Sequence, residues 1–219
     1  PAQATVEAVF WMQGIRELPA YDWERANYVL SLGAGALESS CQQLFFARAQ
    51  AFMRRGRAGY RAKIVDVGPA QSRTSDNADE WIHIEPGTEA AFALGLCNLL
   101  VGQGHYDKDF IDNHCLGFDP GPGAKAAASP PAFKQLLERF APDVVAKTCH
   151  VERSTVERIA AELWEQRPSF VLTGLEGATA SNATHTAMAV HALNAVLGAI
   201  DRPGGLMVQR QAPLDEWAA

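Results

Sequence analysis

The chain has 219 residues, 47% hydrophobic and 20% charged, which is the composition of a folded globular protein and excludes a disordered one. Lys and Arg total 19 against 25 Asp and Glu, a formal net charge of −6, and the basic residues gather only at Arg54, Arg55, Arg57, Arg61 and Lys63, so nucleic acid is disfavoured as a partner. The longest apolar run, 90–97, is far short of the roughly 20 residues that span a bilayer, so no direct membrane insertion is expected. No leader or twin-Arg start opens the chain, and a first residue of Pro1 suggests a piece of a longer protein.

Residues 1–26 show no clean period and read as a lead-in from a preceding domain. A first strand is predicted at 27–32, ending at Gly33-Ala34-Gly35, and good helix formers predict a helix over 36–55. Ile64, Val65 and Val67 mark a second strand at 62–67, which stops at Gly68-Pro69. The polar stretch 72–78 reads as a loop, and Trp81, Ile82 and Ile84 mark a third strand at 80–85. Pro86-Gly87-Thr88 then opens a helix at 89–101 that is apolar on almost every face. A short helix at 107–114, a loop at 120–131 with four prolines and two glycines, and a helix running to Phe140 follow. Ser154 and Glu157 have capping-box spacing, ahead of an amphipathic stripe of Val156, Ile159, Ala160, Leu163 and Trp164. A fourth strand at 169–173 ends at Gly174, and the turn 175–182 leads to a second nearly all-apolar helix at 184–200. At least one of the two apolar helices is expected to pack on parent chain outside this sequence and to leave an apolar patch.

The alternation predicts an α/β fold: a doubly wound, mostly parallel, Rossmann-like sheet with helices on both faces, in which 27–32, 62–67 and 169–173 run parallel. The domain is placed at 27–210, with 211–219 starting a further segment. In such sheets ligands bind outside the carboxyl ends of the strands. The turns after Leu32, Val67, Glu85 and Thr173 are therefore the candidate site.

No metal site is expected from protein ligands alone. Cys41, Cys97, Cys115 and Cys149 form no C-x-x-C pair. His185 and His191 lie about 240° apart around one helix.

Gly33-Ala34-Gly35 begins like the dinucleotide fingerprint, in which glycines let the backbone approach a phosphate and a helix amino end presents free N–H groups. Glu38 stands where the third glycine belongs. Asp66 could serve as the ribose-binding acid of a nicotinamide enzyme, so nucleotide binding and a plain tight turn both remain open here. At Pro86-Gly87-Thr88-Glu89, Thr88 could hold a phosphate or sugar and Glu89 could accept from the N1–H and N2–H₂ edge of a guanine. Simple capping is the competing reading.

Several motifs in order carry a resemblance: Lys63-Ile64-Val65, Ser72-x-Thr74, Ala78-Asp79-Glu80-Trp81 and Glu85-Pro86-Gly87-Thr88-Glu89-Ala90-Ala91. Tyr106-Asp107, Asp109-Phe110-Ile111, Gly117-Phe118 and the closing run from Leu193 through Asp201-Arg202-Pro203-Gly204-Gly205 continue it. Over roughly residues 20–210 the sequence resembles the molybdopterin oxidoreductase (dimethyl sulfoxide reductase) family. Tyr28-Val29-Leu30-Ser31-Leu32-Gly33-Ala34 with Leu37-Glu38-Ser39 is similar to its polysulfide/thiosulfate reductase branch.

The resemblance implies a fragment of a larger, multidomain catalytic subunit of an oxidoreductase of anaerobic respiration. Such subunits hold molybdenum or tungsten between two molybdopterin guanine dinucleotides, and usually carry an iron–sulfur cluster in an N-terminal part missing here. Gly33, Ala34, Gly35, Glu38 and Ser39 would form the first contact loop. Gly68, Pro69, Ser72 and Thr74 would form the second, and Gly87, Thr88 and Glu89 the guanine-side third. The turn 174–182 would face the pterin end. The implied partners are the rest of the same catalytic chain, an iron–sulfur electron-transfer subunit and a membrane-anchor subunit, on the periplasmic side of the inner membrane in preference to the cytoplasm. The implied substrate is a small molecule such as a sulfur compound.

Two departures from the family pattern stand out. Family members commonly read Asp-Pro-Arg where this chain reads Gly68-Pro69-Ala70, and the Asn that often follows Gly-Ala is Gly35. Both losses remove groups suited to polar contacts with a nucleotide. A cofactor-free scaffold subunit of a respiratory complex is therefore an alternative, and a nicotinamide-dependent dehydrogenase a more distant one.

Overall fold

The computed structural model describes residues 2–38, 43–119, 132–174 and 181–208. A short strand β1 (Ala20–Tyr21) precedes four strands of one parallel sheet: β2 (Tyr28–Leu32), β3 (Lys63–Gly68), β4 (Glu80–His83) and β5 (Ser169–Thr173). Their order is β4-β3-β2-β5, and every pairing is parallel, as the pattern predicts for 27–32, 62–67 and 169–173. Every residue of β2 is buried, which is why its sequence, apolar but for Ser31, shows no alternation. Successive strands step outward from β2 to β4, and β5 then pairs on the other side of β2. The final strand β6 (Leu206–Met207) pairs antiparallel with β1.

The described helices are α1 (Ala2–Gln13), α2 (Gln43–Arg55), α3 (Arg73–Asn77), α4 (Glu89–Gly102), α5 (Lys108–His114), α6 (Phe133–Leu137), α7 (Pro142–Cys149), α8 (Arg153–Glu165) and α9 (Ala183–Leu197). Several depart from the sequence expectations. The stretch 72–78, read as a loop, holds α3, which begins at a capping box between Ser72 and Ser75. The capping box expected at Ser154 and Glu157 does not form. Helix α8 starts two residues earlier, with Glu152 at its N-cap, and Glu157 instead accepts from Arg153 at 2.7 Å.

The two apolar helices find their cover within the chain, contrary to expectation. Helix α4 packs against α6, α7, α8 and α9, and α9 is enclosed by α4, β5 and α1. Residues 2–13 of the lead-in thus supply a wall of the core. Exposed large apolar side chains lie elsewhere, on α1 (Trp11, Met12) and α2 (Leu44, Phe45, Phe52). Among the described residues no helix is long and apolar enough to cross a membrane.

At the amino ends of the strands a polar network ties the sheet to α8. Tyr28 Oη donates to Glu162 at 3.0 Å, and Lys63 Nζ reaches Glu162 at 2.8 Å and Glu80 at 3.1 Å. Arg158 bridges the same two carboxylates. Burial alone would raise both carboxyls, but the hydrogen bonds from Arg158 and Lys63 more than reverse it and hold them below the usual range. On α9 His191 is buried, and desolvation lowers its pKa from 6.5 to about 4.

Acid unfolding is therefore expected in two stages. His191 binds its proton in the unfolded chain first, so stability falls as pH drops from 6.5 toward about 4. Glu80 and Glu162 contribute fully above the ordinary carboxylate value of 4.5 and lose their contribution as pH falls below it. Thermal melts of Glu162→Gln and the wild type should converge below pH 4.5. A difference that stays constant from pH 7 to pH 3 would contradict the network's role.

Candidate functional site at the carboxyl ends of the strands

The first loop leaves β2 through Gly33 and Gly35, whose φ values of +56° and +54° an L side chain resists. Gly33 N–H donates to Val67 O at 2.9 Å, which keeps the loop against β3. Gly33, Ala34 and Gly35 are all buried. The helix expected from residue 36 does not begin there. Residues 36–38 form a turn, in which Leu37 N–H is drawn across to Thr74 Oγ1 at 3.1 Å and Glu38 N–H to Gly35 O at 3.3 Å. The loop therefore presents glycine backbone and not a helix amino end. Ser39 lies outside the described residues.

The second loop is fastened to the first. Thr74 gives both its backbone N–H (3.1 Å) and its hydroxyl (2.7 Å) to Glu38 Oε2. Glu38 Oε1 is buried and without a hydrogen-bond partner. Gly68 closes β3 opposite His83, Pro69 is half-buried, and Ser72 caps α3 by accepting from Ser75 N–H at 3.2 Å. Ser72 and Thr74 thus make their bonds within the protein, and Glu38 acts as a clamp between loops.

In the third loop the Thr88 hydroxyl donates to Glu85 O at 2.6 Å and does not cap α4. Glu89, the first residue of α4, is 2% exposed, and its Oε2 has no hydrogen-bond partner. An unpartnered buried carboxylate is costly unless a ligand or cation answers it. Behind it, burial pushes the Cys149 thiol up, with the Glu89 charge adding to the effect, so this cysteine stays protonated.

The fourth turn, expected over 174–182, contributes Gly174 and Asn182. Gly174 sits against the first loop so closely that a Cβ there would lie 2.0 Å from Ala34 O. Asn182, the last residue of that turn, donates from Nδ2 to Gly87 O at 3.1 Å, and its Oδ1 is buried without a partner. In the sequence Asn182 looks like any N-cap before an apolar helix. Residues 175–180 of this predicted turn lie outside the described residues. Glu38 with Thr74, Ala34 with Gly174, and Gly87 with Asn182 together join all four turns into one surface.

Asp66, the candidate ribose acid, is buried within β3 opposite Ser31 and Trp81, two residues short of the strand end. Among the described residues no three His, Cys, Asp or Glu side chains gather to hold a metal. A groove of about 440 Å³ flanks the first loop between α2 and α3, with Leu37, Leu44, Arg54, Arg55 and Arg73 in its walls. Glu89 does not line it, so the orphaned acceptors and not this groove define the site.

Residues 1–212 match the family described as molybdopterin oxidoreductase. The chain belongs to that family. It is 31% identical over 207 residues to the menaquinone reductase, molybdopterin-binding-like subunit of Nitratidesulfovibrio vulgaris, covering 94% of this chain and 27% of that protein. It is 27% identical over 226 residues to the arsenate respiratory reductase molybdopterin-containing subunit of a Shewanella species, covering 97% and 26%. The structure of acetylene hydratase from Pelobacter acetylenicus superposes with a TM-score of 0.69 at 20% identity, over 90% of this chain and 24% of the hydratase, and so shares the fold. This molybdopterin oxidoreductase segment spans about a quarter of the length of the curated relatives it matches.

Proposed function

We propose that this segment is the α/β domain that holds one guanine dinucleotide of a bis(molybdopterin guanine dinucleotide) cofactor, within a catalytic subunit that uses molybdenum or tungsten. The step of β5 to the far side of β2 supports a doubly wound, Rossmann-like reading with its switch point at the first and fourth turns. Glu89 is the observation that carries the proposal: a carboxylate 2% exposed, with an oxygen that no protein group answers. Gly33, Ala34 and Gly35 line the phosphate path, and Glu89 takes the guanine edge. Glu38 holds the second loop in place, and its free Oε1 faces a hydroxyl-bearing part of the ligand. The bound metal would supply two-electron redox chemistry on a small substrate, while the residues of this domain bind and orient the nucleotide. The first-loop sequence favours a sulfur compound. The reading also carries an iron–sulfur cluster in an N-terminal part of the longer protein, an iron–sulfur partner subunit, a membrane-anchor subunit and a periplasmic setting.

A second reading, the cofactor-free scaffold, is favoured by two features. Glu38 already satisfies the donors of Thr74, and Gly68 and Ala70 offer no charged group in place of the Asp and Arg common in relatives. Metal and pterin analysis of the purified full-length protein separates the two. Molybdenum or tungsten near one per chain, with two pterins, is the expected result. Neither metal nor pterin in a correctly assembled complex would support the scaffold instead.

A further inference from the structure

Helices α4 and α9 pack along each other and meet at their amino ends, where Asn182 bonds Gly87; the chain just past the carboxyl end of α4 returns to the last turn of α9, where Asp107 N–H donates to Val196 O at 3.0 Å. They therefore run side by side in the same direction. Each starts at a residue suited to capping, Thr88 and Asn182, yet neither side chain caps its own helix. Among the described residues the first-turn N–H groups of both helices therefore receive no bond from their own N-cap side chains. In the same two turns Glu89 Oε2, Asn182 Oδ1 and Thr186 Oγ1 are buried and unpartnered. The orientation of the Asn182 amide is fixed, because exchanging its oxygen and nitrogen would set two carbonyl oxygens against each other at Gly87.

We infer that Asn182 and Glu89 together read the edge of a planar heterocycle that presents a carbonyl oxygen, a ring N–H and an exocyclic amine in a row. The uncapped N–H groups supply donors for the carbonyl, and Glu89 and Asn182 supply acceptors for the two nitrogen donors. Asn182 is then a specificity-determining residue for the amine. The reading above puts guanine here; a pterin carries the same edge, and the titration below distinguishes the two ends of the cofactor. This inference rests on the cofactor-holding reading above.

Cofactor-free full-length protein, made in a host that produces no molybdopterin, is titrated with GMP, IMP, pterin and lumazine. GMP should bind about tenfold more tightly than IMP, or the pterin about tenfold more tightly than lumazine, since each second compound lacks the amine. The pair that discriminates identifies which end of the cofactor sits here. Asn182→Ala should bring that ratio toward one, while Asn182→Asp, which keeps an acceptor, should retain most of it even if it melts at a lower temperature. Full discrimination in Asn182→Ala, or no binding of any probe by the wild type, overturns the inference. If Asn182→Ala keeps its discrimination while Glu89→Gln lowers the pterin content of the holoprotein, the cofactor-holding reading survives alone. If the holoprotein contains no pterin, both fall.

Discussion

Gly174→Ala should unfold the domain or leave it insoluble. The added Cβ would sit 2.0 Å from Ala34 O, 2.7 Å from its carbonyl carbon and 2.9 Å from its Cα, all backbone atoms. Relief requires one loop to retreat, and neither is free to do so. Gly33 N–H is bonded to Val67 O, the Thr173 hydroxyl is bonded to Leu32 O at 3.1 Å, and Leu32 pairs with Thr173 in the ladder. Overpacking a core with side chains costs about 1–3 kcal/mol, and a backbone collision of this kind should exceed about 3 kcal/mol. Chemical denaturation of the full-length variant measures it. A midpoint within error of the wild type would mean that the first and fourth turns do not touch in solution. The contact also has a functional side, because it closes the crevice between β2 and β5 at the strand ends. A ligand must then lie across the loops above that contact.

Glu89→Gln should have opposite effects on cofactor content and on stability. If Glu89 accepts from a guanine or pterin edge, the amide presents a donor where an acceptor is needed. Losing a hydrogen bond to a charged group costs about 1.5–3 kcal/mol, or roughly ten- to a hundredfold in affinity, and pterin content should fall accordingly. The cofactor-free protein should respond the other way, since burying a neutral amide is cheaper than burying an unpartnered carboxylate. Its melting temperature should rise. Unchanged pterin content together with a lower melting temperature would make Glu89 a structural residue and remove the central support for the site.

The strands were legible in the sequence because each is a short apolar run closed by glycine or proline, and both faces of β2 are covered. The carboxyl-end turns followed from that pattern, and Glu89 with them. Helix α1 was not legible, since its twelve residues mix alanines and aromatics without a clean period. Nor was α3, whose polar run of Arg-Thr-Ser-Asp-Asn looks like a loop until Ser72 and Ser75 cap it. Helix α7 is eight residues long, and its one local signal was Pro142 at the first position. The contacts between turns were out of reach for a different reason. Glu38 meets Thr74 across 36 residues and Asn182 meets Gly87 across 95, and nothing local in either side chain announces its partner. Glu38 accordingly holds Thr74 through Oε2, a clamp the sequence did not announce, while its Oε1 stays open to the proposed ligand contact.

A structure of the purified full-length protein tests the central claim most directly. The account predicts a dinucleotide lying across Gly33, Ala34 and Gly35, with a nitrogen-bearing ring edge against Glu89 Oε2 and Asn182 Oδ1. A fully assembled protein in which these two oxygens face only water or protein, with no nucleotide over the four turns, would contradict it.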